Sequence, residues 1–201
     1  MSALKREVAP IIWMNGFPGT GKLTVAEKLA ALCGPENATV LDNHKLIDPV
    51  EAKIPRSHPD YQKERQLYRQ AVFEEHVCNA GTLSRLVIFT DFQSANELGS
   101  QVAKEYQDAA SRAGRPFIPI YLICDPEENL KRVANSDRVN SRLGKLTDRG
   151  LLQKFMSRCD LFRFDVPDYL TVDTTTATPW ETATEILVFL KLKKAVLGGK
   201  E

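Results

Sequence analysis

Gly16-Phe17-Pro18-Gly19-Thr20-Gly21-Lys22 follows the apolar run Val8 to Met14 and opens a stretch in which Val25, Ala26, Leu29, Ala30 and Cys33 recur on one side. Glycines let a chain wrap so that successive backbone N–H groups converge on phosphate oxygens, and the helix that follows adds favourable partial charge at its start. A lysine in that position reaches the β- and γ-phosphates of a nucleotide. The Gly-x-x-x-x-Gly-Lys (Walker A) pattern is short, and its context of strand, turn and helix separates a phosphate loop from an ordinary glycine turn. Gly16, Gly19, Thr20, Gly21, Lys22, Leu23 and Thr24 are therefore the expected nucleotide contacts. Gly34-Pro35 supplies the stop for the helix.

Outward from the loop, Thr39 to Leu41, Leu86 to Thr90, Ile118 to Ile123 and Tyr169 to Val172 read as further strands. Ser94 and Glu97 have capping-box spacing, and Leu98, Val102, Tyr106, Ala109 and Ala113 then recur at helical spacing up to Gly114. Asp125-Pro126 with Glu128 starts another helix, and Thr178-Pro179 with Glu181 starts the last, which closes near Gly198-Gly199. This alternation predicts an α/β fold, a parallel sheet with helices on both faces and ligands beyond the carboxyl ends of the strands. Pro119 lacks a ladder donor, so the fourth strand is expected to begin effectively at Ile120. The least regular stretches, Asp42 to Asp60 and Asn135 to Asp160, are the candidate moving parts.

A chain of 201 residues with 43% hydrophobic and 26% charged residues fits one domain, 1–201, and excludes intrinsic disorder. Lys plus Arg at 27 against Asp plus Glu at 26 gives +1, without the field of a dedicated nucleic-acid or membrane binder. Neither nucleic acid nor membrane is an expected partner. The basic residues cluster locally: Lys131 to Arg158 holds eight against two acids. The functional reading of that segment is closure over phosphates, and the alternative is a solvated helical face. Four cysteines without a Cys-x-x-Cys pair read as reduced, mostly buried thiols. With no apolar leader in Met1 to Pro10 and no run near 18 apolar residues, the expected location is the cytoplasm.

Leu23 stands where Ser or Thr normally ligates magnesium, and the hydroxyl follows at Thr24; the chain also lacks the Asn-Lys-x-Asp guanine motif. Gly-Lys-x-Thr resembles the loop of adenylate-kinase-like P-loop kinases. Together with Leu41-Asp42-Asn43-His44, Ile120 to Leu130 leading into Arg132 and Arg138, and Asp173-Thr174-Thr175 before Pro179, it makes the chain similar to the chloramphenicol-phosphotransferase and zeta-toxin-like small kinases. That resemblance implies a three-layer P-loop NTPase sandwich, a five-stranded parallel sheet of order 2-3-1-4-5, and an arginine-bearing lid at about 136–160. It implies ATP and magnesium as cofactors, with Arg132 on the adenine side, Arg138 on the phosphates and Thr174 in the wall of the adenine pocket.

Asp42 matches the substrate-activating Asp of the resembled kinases; a water-mediated magnesium role and plain loop capping are the other readings. Asp91 ends the third strand and either serves metal or substrate or caps the next turn. The segment at about 43–81 holds the acceptor in kinases of this shape. His44 there either contacts substrate or packs locally, and Arg65 and Arg69 either bind an anionic acceptor or face water. The leading expectation is phosphoryl transfer from ATP to a hydroxyl of a small molecule, with Lys22, Asp42 and Arg138 catalytic. A nucleoside or nucleotide kinase, and an ATP-binding regulator without turnover, are the alternatives.

Overall fold

A computed structural model describes residues 8–134 and 148–198. β1 (Ile11–Asn15) is buried along its whole length because it lies at the centre of a five-stranded sheet, in the order β2-β3-β1-β4-β5. β2 (Ala38–Asp42), β3 (Leu86–Asp91), β4 (Phe117–Ile123) and β5 (Leu170–Asp173) all run parallel to their neighbours. A strand covered on both faces needs no polar alternation, which is why the run around Ile11 to Met14 is uniformly apolar.

Alternate side chains feed two cores. Ile11, Trp13, Val87 and Phe89 pack on one face against α4 (Glu97–Arg112) and against Phe73, the last residue of α3 (Tyr61–Phe73). Ile12, Met14, Ile88 and Ile120 pack on the other against α1 (Lys22–Cys33), with Ala183 and Ile186 of the last helix, Pro179–Gly198. Trp13 is enclosed by rings, with Tyr106 at 6.2 Å and Phe164 at 5.4 Å between centroids. The result is the expected three-layer α/β sandwich with sheet order 2-3-1-4-5.

Several boundaries differ from the sequence reading. β4 begins at Phe117, not Ile120, and carries Pro119 opposite Trp13. The Ile11 N–H donates to the Pro116 carbonyl at 2.8 Å, so even-numbered residues of β4 turn their peptide groups to β1. Pro119 faces the other way, where β5 pairs only from Ile120 onward, and its missing N–H costs no ladder bond. The cap of α4 is Asn96, whose side chain accepts from the Gly99 N–H, and not Ser94, which instead bridges to Leu161. Within the two supposedly irregular stretches lie helices α2 (Asn43–Glu51), which contains Pro49, and α6 (Arg149–Arg158). α5 (Pro126–Val133) and α7 (Pro179–Gly198) start as expected, at Asp125 and at a reciprocal Thr178–Glu181 capping box. The four cysteines are half-buried free thiols, less enclosed than expected. Burial pushes the Cys33, Cys78 and Cys124 thiols up from their ordinary range, which makes them poor nucleophiles. Among the described residues no helix is long and apolar enough to cross a membrane.

The end of the sheet opposite the glycine loop is held by Arg115, which is 4% exposed. Its guanidinium donates to the carbonyls of Ala9 at 2.9 Å, Pro10 at 3.4 Å and Val77 at 3.3 Å, and to that of Arg85. Burial lowers its pKa, but a guanidinium stays charged across the accessible pH range. Arg115→Ala leaves these carbonyls unmatched, and a loss of about 3 kcal/mol of unfolding free energy is expected in urea titrations. Arg115→Lys, with a point charge in place of a five-donor fork, recovers less than half of it; a loss under about 0.5 kcal/mol for Ala would remove the clamp from the account.

Candidate active site

The glycine loop leaves β1 through Asn15, which is fully buried. Its Oδ1 accepts from the N–H groups of Gly16 at 3.0 Å and Gln93 at 2.9 Å, and its Nδ2 donates to the carbonyls of Gln93 and Phe162, both at 3.0 Å. One amide thus joins the start of the loop, the exit of β3 and the segment before β5. Gly19 and Gly21 have φ of 97° and 86°, in the left-handed region. A Cβ on Gly19 would also overlap Asn129 Oδ1 and come within 2.7 Å of Val133, whereas one on Gly21 would meet nothing. Gly21 is the N-cap of α1 and offers no side chain, and the first turn of α1 holds no acidic residue. The leading amides and the positive end of the helix dipole are therefore left for an anion. Lys22 Nζ lies over the loop and donates to the carbonyls of Gly16 at 2.6 Å and Phe17 at 2.9 Å.

Beside the loop opens a cleft of about 480 Å³, bounded by the carboxyl ends of β2 and β3 and by Leu151 and Phe155 of α6. Lys22, Leu23, Thr24, Asp42, His44, Arg65 and Asp91 all line it, so residues scattered over 70 positions of sequence meet at one place. Asp42 sits at the N-cap position of α2, yet its carboxylate makes no capping bond. Oδ1 instead accepts from the buried Thr90 hydroxyl at 2.7 Å, and Oδ2 is buried without a partner among the described residues. Asp91 is 1% exposed and its oxygens are engaged nearby: Oδ1 accepts from the Phe92 N–H at 2.8 Å, and Gln93 Nε2 donates to Oδ1 and Oδ2 at 3.0 and 2.9 Å. His44 Nδ1 lies 3.4 Å from Asp48, one helical turn on. Arg69 does not reach the cleft; it is buried between α3 and α4 in a two-pronged ion pair with Glu105, both contacts at 2.8 Å.

On the other side of the loop, Thr20, Gly21, Arg132, Thr174 and Ala177 line a second cleft of about 300 Å³. Arg132 Nη2 donates to the carbonyls of Thr174 at 2.9 Å and Thr175 at 2.8 Å while Nε pairs with Glu128 at 3.0 Å. Thr174 Oγ1 donates to the Thr20 carbonyl at 3.1 Å, tying the turn after β5 to the loop. Arg138 lies outside the described residues. Sequence reading missed Asn15, Thr90, Leu151 and Phe155. Only Asn15 carried a signal, as the one amide ending an apolar strand. Among the described residues there is no group of three or more His, Cys, Asp or Glu able to hold a metal by itself.

No protein-family model and no curated protein sequence matches the chain. Solved structures do match it. A gluconokinase from Sinorhizobium meliloti 1021 is 18% identical, with 98% of this chain and 100% of that one covered and a TM-score of 0.62. The Mycobacterium tuberculosis APS kinase CysC in complex with AMPPNP and APS is 16% identical, with 92% and 98% covered and a TM-score of 0.59. The Deinococcus radiodurans tunicamycin resistance protein is 18% identical, with 90% and 94% covered and a TM-score of 0.56. With its 2-3-1-4-5 parallel sheet and a glycine loop leaving the central strand, the chain has the P-loop NTPase fold of these two kinases.

Proposed function

We propose that the protein is an ATP- and magnesium-dependent kinase that phosphorylates a hydroxyl group of a small molecule, within the chloramphenicol-phosphotransferase and zeta-toxin-like group. One observation carries the reading. Asp42 places a buried carboxylate oxygen, without a partner among the described residues, in the same cleft as the lysine of the glycine loop. A carboxylate kept there and not spent on capping α2 is suited to take a proton.

In this mechanism the loop amides and Lys22 hold the β- and γ-phosphates, and Arg132 and Thr174 hold the turn that borders the adenine. Asp42 Oδ2 orients the acceptor hydroxyl and takes its proton as the hydroxyl oxygen bonds to the γ-phosphorus. The bond to the bridging oxygen breaks, and ADP leaves with that electron pair. Thr90 fixes the Asp42 rotamer. Arg138 is assigned to charge developing on the transferring group, and the segment 136–160 to the lid, of which α6 is the described part.

Magnesium, when bound, would neutralise phosphate oxygens. The donor set suits an ion held mainly by phosphate and water, with Thr24 and Asp91 as the oxygen-bearing side chains on hand, since Leu23 has no oxygen. The acceptor segment is 43–81, and the chain acts as one domain. Arg69 is consumed by Glu105, which removes half of the phosphate clamp that a nucleotide kinase would use.

Calorimetry with ATP, with and without magnesium, followed by ADP release against hydroxylated metabolites, nucleosides and nucleoside monophosphates, tests the proposal. Stimulated release by one acceptor class is expected. Tight ATP binding with no stimulated release across the panel would favour a regulator.

A further inference from the structure

We propose that the phosphate acceptor carries an acid group, a carboxylate, sulfate or phosphate, and that Arg65 receives it while the hydroxyl is presented to Asp42. The inference rests on the kinase reading for the hydroxyl, but its acid subsite stands on residues of its own.

Two arginines from the acceptor segment line the cleft, and they differ in what they already hold. Arg56 is exposed and paired with Glu51. Burial alone would raise the Glu51 carboxyl, but Arg56 and the Tyr61 hydroxyl, which donates to it at 2.9 Å, hold it below its usual range, with the more distant Arg65 charge adding least. That carboxylate is thus committed to Arg56 and Tyr61. Arg65 is half-buried and has no ion pair among the described residues. It makes one long hydrogen bond, 3.3 Å to the Tyr61 hydroxyl, and lies 5.9 Å from the centroid of that ring. Its Nε is buried with no partner among the described residues. One turn further along the same helix, Arg69 shows the contrast, with a guanidinium matched by two contacts to Glu105.

A guanidinium presents five donors in a planar fork, and an enclosed N–H without an acceptor costs roughly 1–3 kcal/mol. Such a group facing a ligand cleft is matched by a planar or tetrahedral oxyanion that takes two of its donors at once. The acids around it set the orientation. With nucleotide phosphates on the loop amides and Lys22, their charge together with Asp42 and Asp91 repels a second anion from that side of the cleft, so an acceptor bearing both groups binds with its acid on Arg65 and its hydroxyl on Asp42. A cleft of about 480 Å³ lies within the size range of small-molecule sites.

The test separates this inference from the kinase reading. Wild type and Arg65→Gln, each saturated with AMPPNP and magnesium, are titrated by calorimetry with charge-matched pairs, gluconate against glucose and glycerate against glycerol, and with AMP and inorganic sulfate. Acids are expected to bind wild type at least about tenfold more tightly than their neutral partners, and Arg65→Gln to lose that preference with AMPPNP affinity within about twofold. AMP outcompeting the carboxylates would assign the acid to a phosphate; the reverse order would assign it to a carboxylate. Equal binding of acids and neutral partners, an undiminished preference in Arg65→Gln, or no anion binding up to about 10 mM would overturn the proposal. If AMPPNP does not bind at all, the kinase reading falls. Sulfate titration of Lys22→Ala against Lys22→Ala/Arg65→Gln, without nucleotide, then still decides the Arg65 subsite: one sulfate fewer in the double variant, beyond any held by the loop amides, supports it, and equal binding overturns it.

Discussion

Asp42→Asn is expected to bind ATP within about twofold of wild type and to lose acceptor-dependent ADP release by about 10²- to 10⁴-fold. The substitution keeps the shape of the side chain. An Asn carbonyl oxygen still accepts from the Thr90 hydroxyl, which donates to Asp42 Oδ1 at 2.7 Å. What changes is the other branch: an amide nitrogen replaces Oδ2 and cannot take a proton. Because α2 receives no capping bond from the Asp42 carboxylate, its stability is unaffected, and thermal unfolding within about 1 °C of wild type is the control. Retained turnover in Asp42→Asn would remove Asp42 from the chemistry and leave the proton to the acceptor or to solvent.

The second large effect belongs to Lys22. Lys22→Ala is expected to lower turnover by about 10³-fold and to weaken nucleotide binding by a smaller factor, because charge builds on the transferring phosphoryl group after the ground-state complex has formed. Loop geometry adds to the loss. The amine donates to the Gly16 and Phe17 carbonyls at 2.6 and 2.9 Å, so its removal also loosens the loop. Lys22→Arg does not restore activity, since a bulkier branched guanidinium cannot place its charge where the compact ammonium sits over the loop. Equal losses in affinity and turnover would make Lys22 a binding residue only.

The fold was legible where local chemistry is unambiguous. An apolar run with no polar alternation, a turn that only glycines allow and a helix stopped by Gly34-Pro35 leave little choice for β1, the loop and α1. The Thr178–Glu181 capping box was equally readable. It misled at Ser94 and Glu97, because Asn96 stands closer to the helix and its shorter reach to the Gly99 N–H wins. α2 was hidden by Pro49, which sequence rules place outside helices.

At the site, Lys22 and Asp42 could be singled out because their chemistry does not depend on neighbours. Arg65 and Arg69 could not be told apart. They lie one turn apart with the same side chain, and only tertiary packing sends one to Glu105 and the other to the cleft. Thr90 was invisible for the same reason. A threonine near the end of an apolar strand has good strand propensity, and its hydroxyl matters only because Asp42 lies across from it in the next strand.

Asn15 gives the molecule a mechanical property that the sheet alone would not. Its single amide rivets the first residue of the glycine loop, the backbone of Gln93 and the carbonyl of Phe162, three pieces of chain that are distant in sequence. Gln93 lines the cleft and grips both oxygens of Asp91, and Phe162 packs on Trp13 at the centre of the aromatic core. The loop, the floor of the cleft and the aromatic core therefore share one hydrogen-bonded joint.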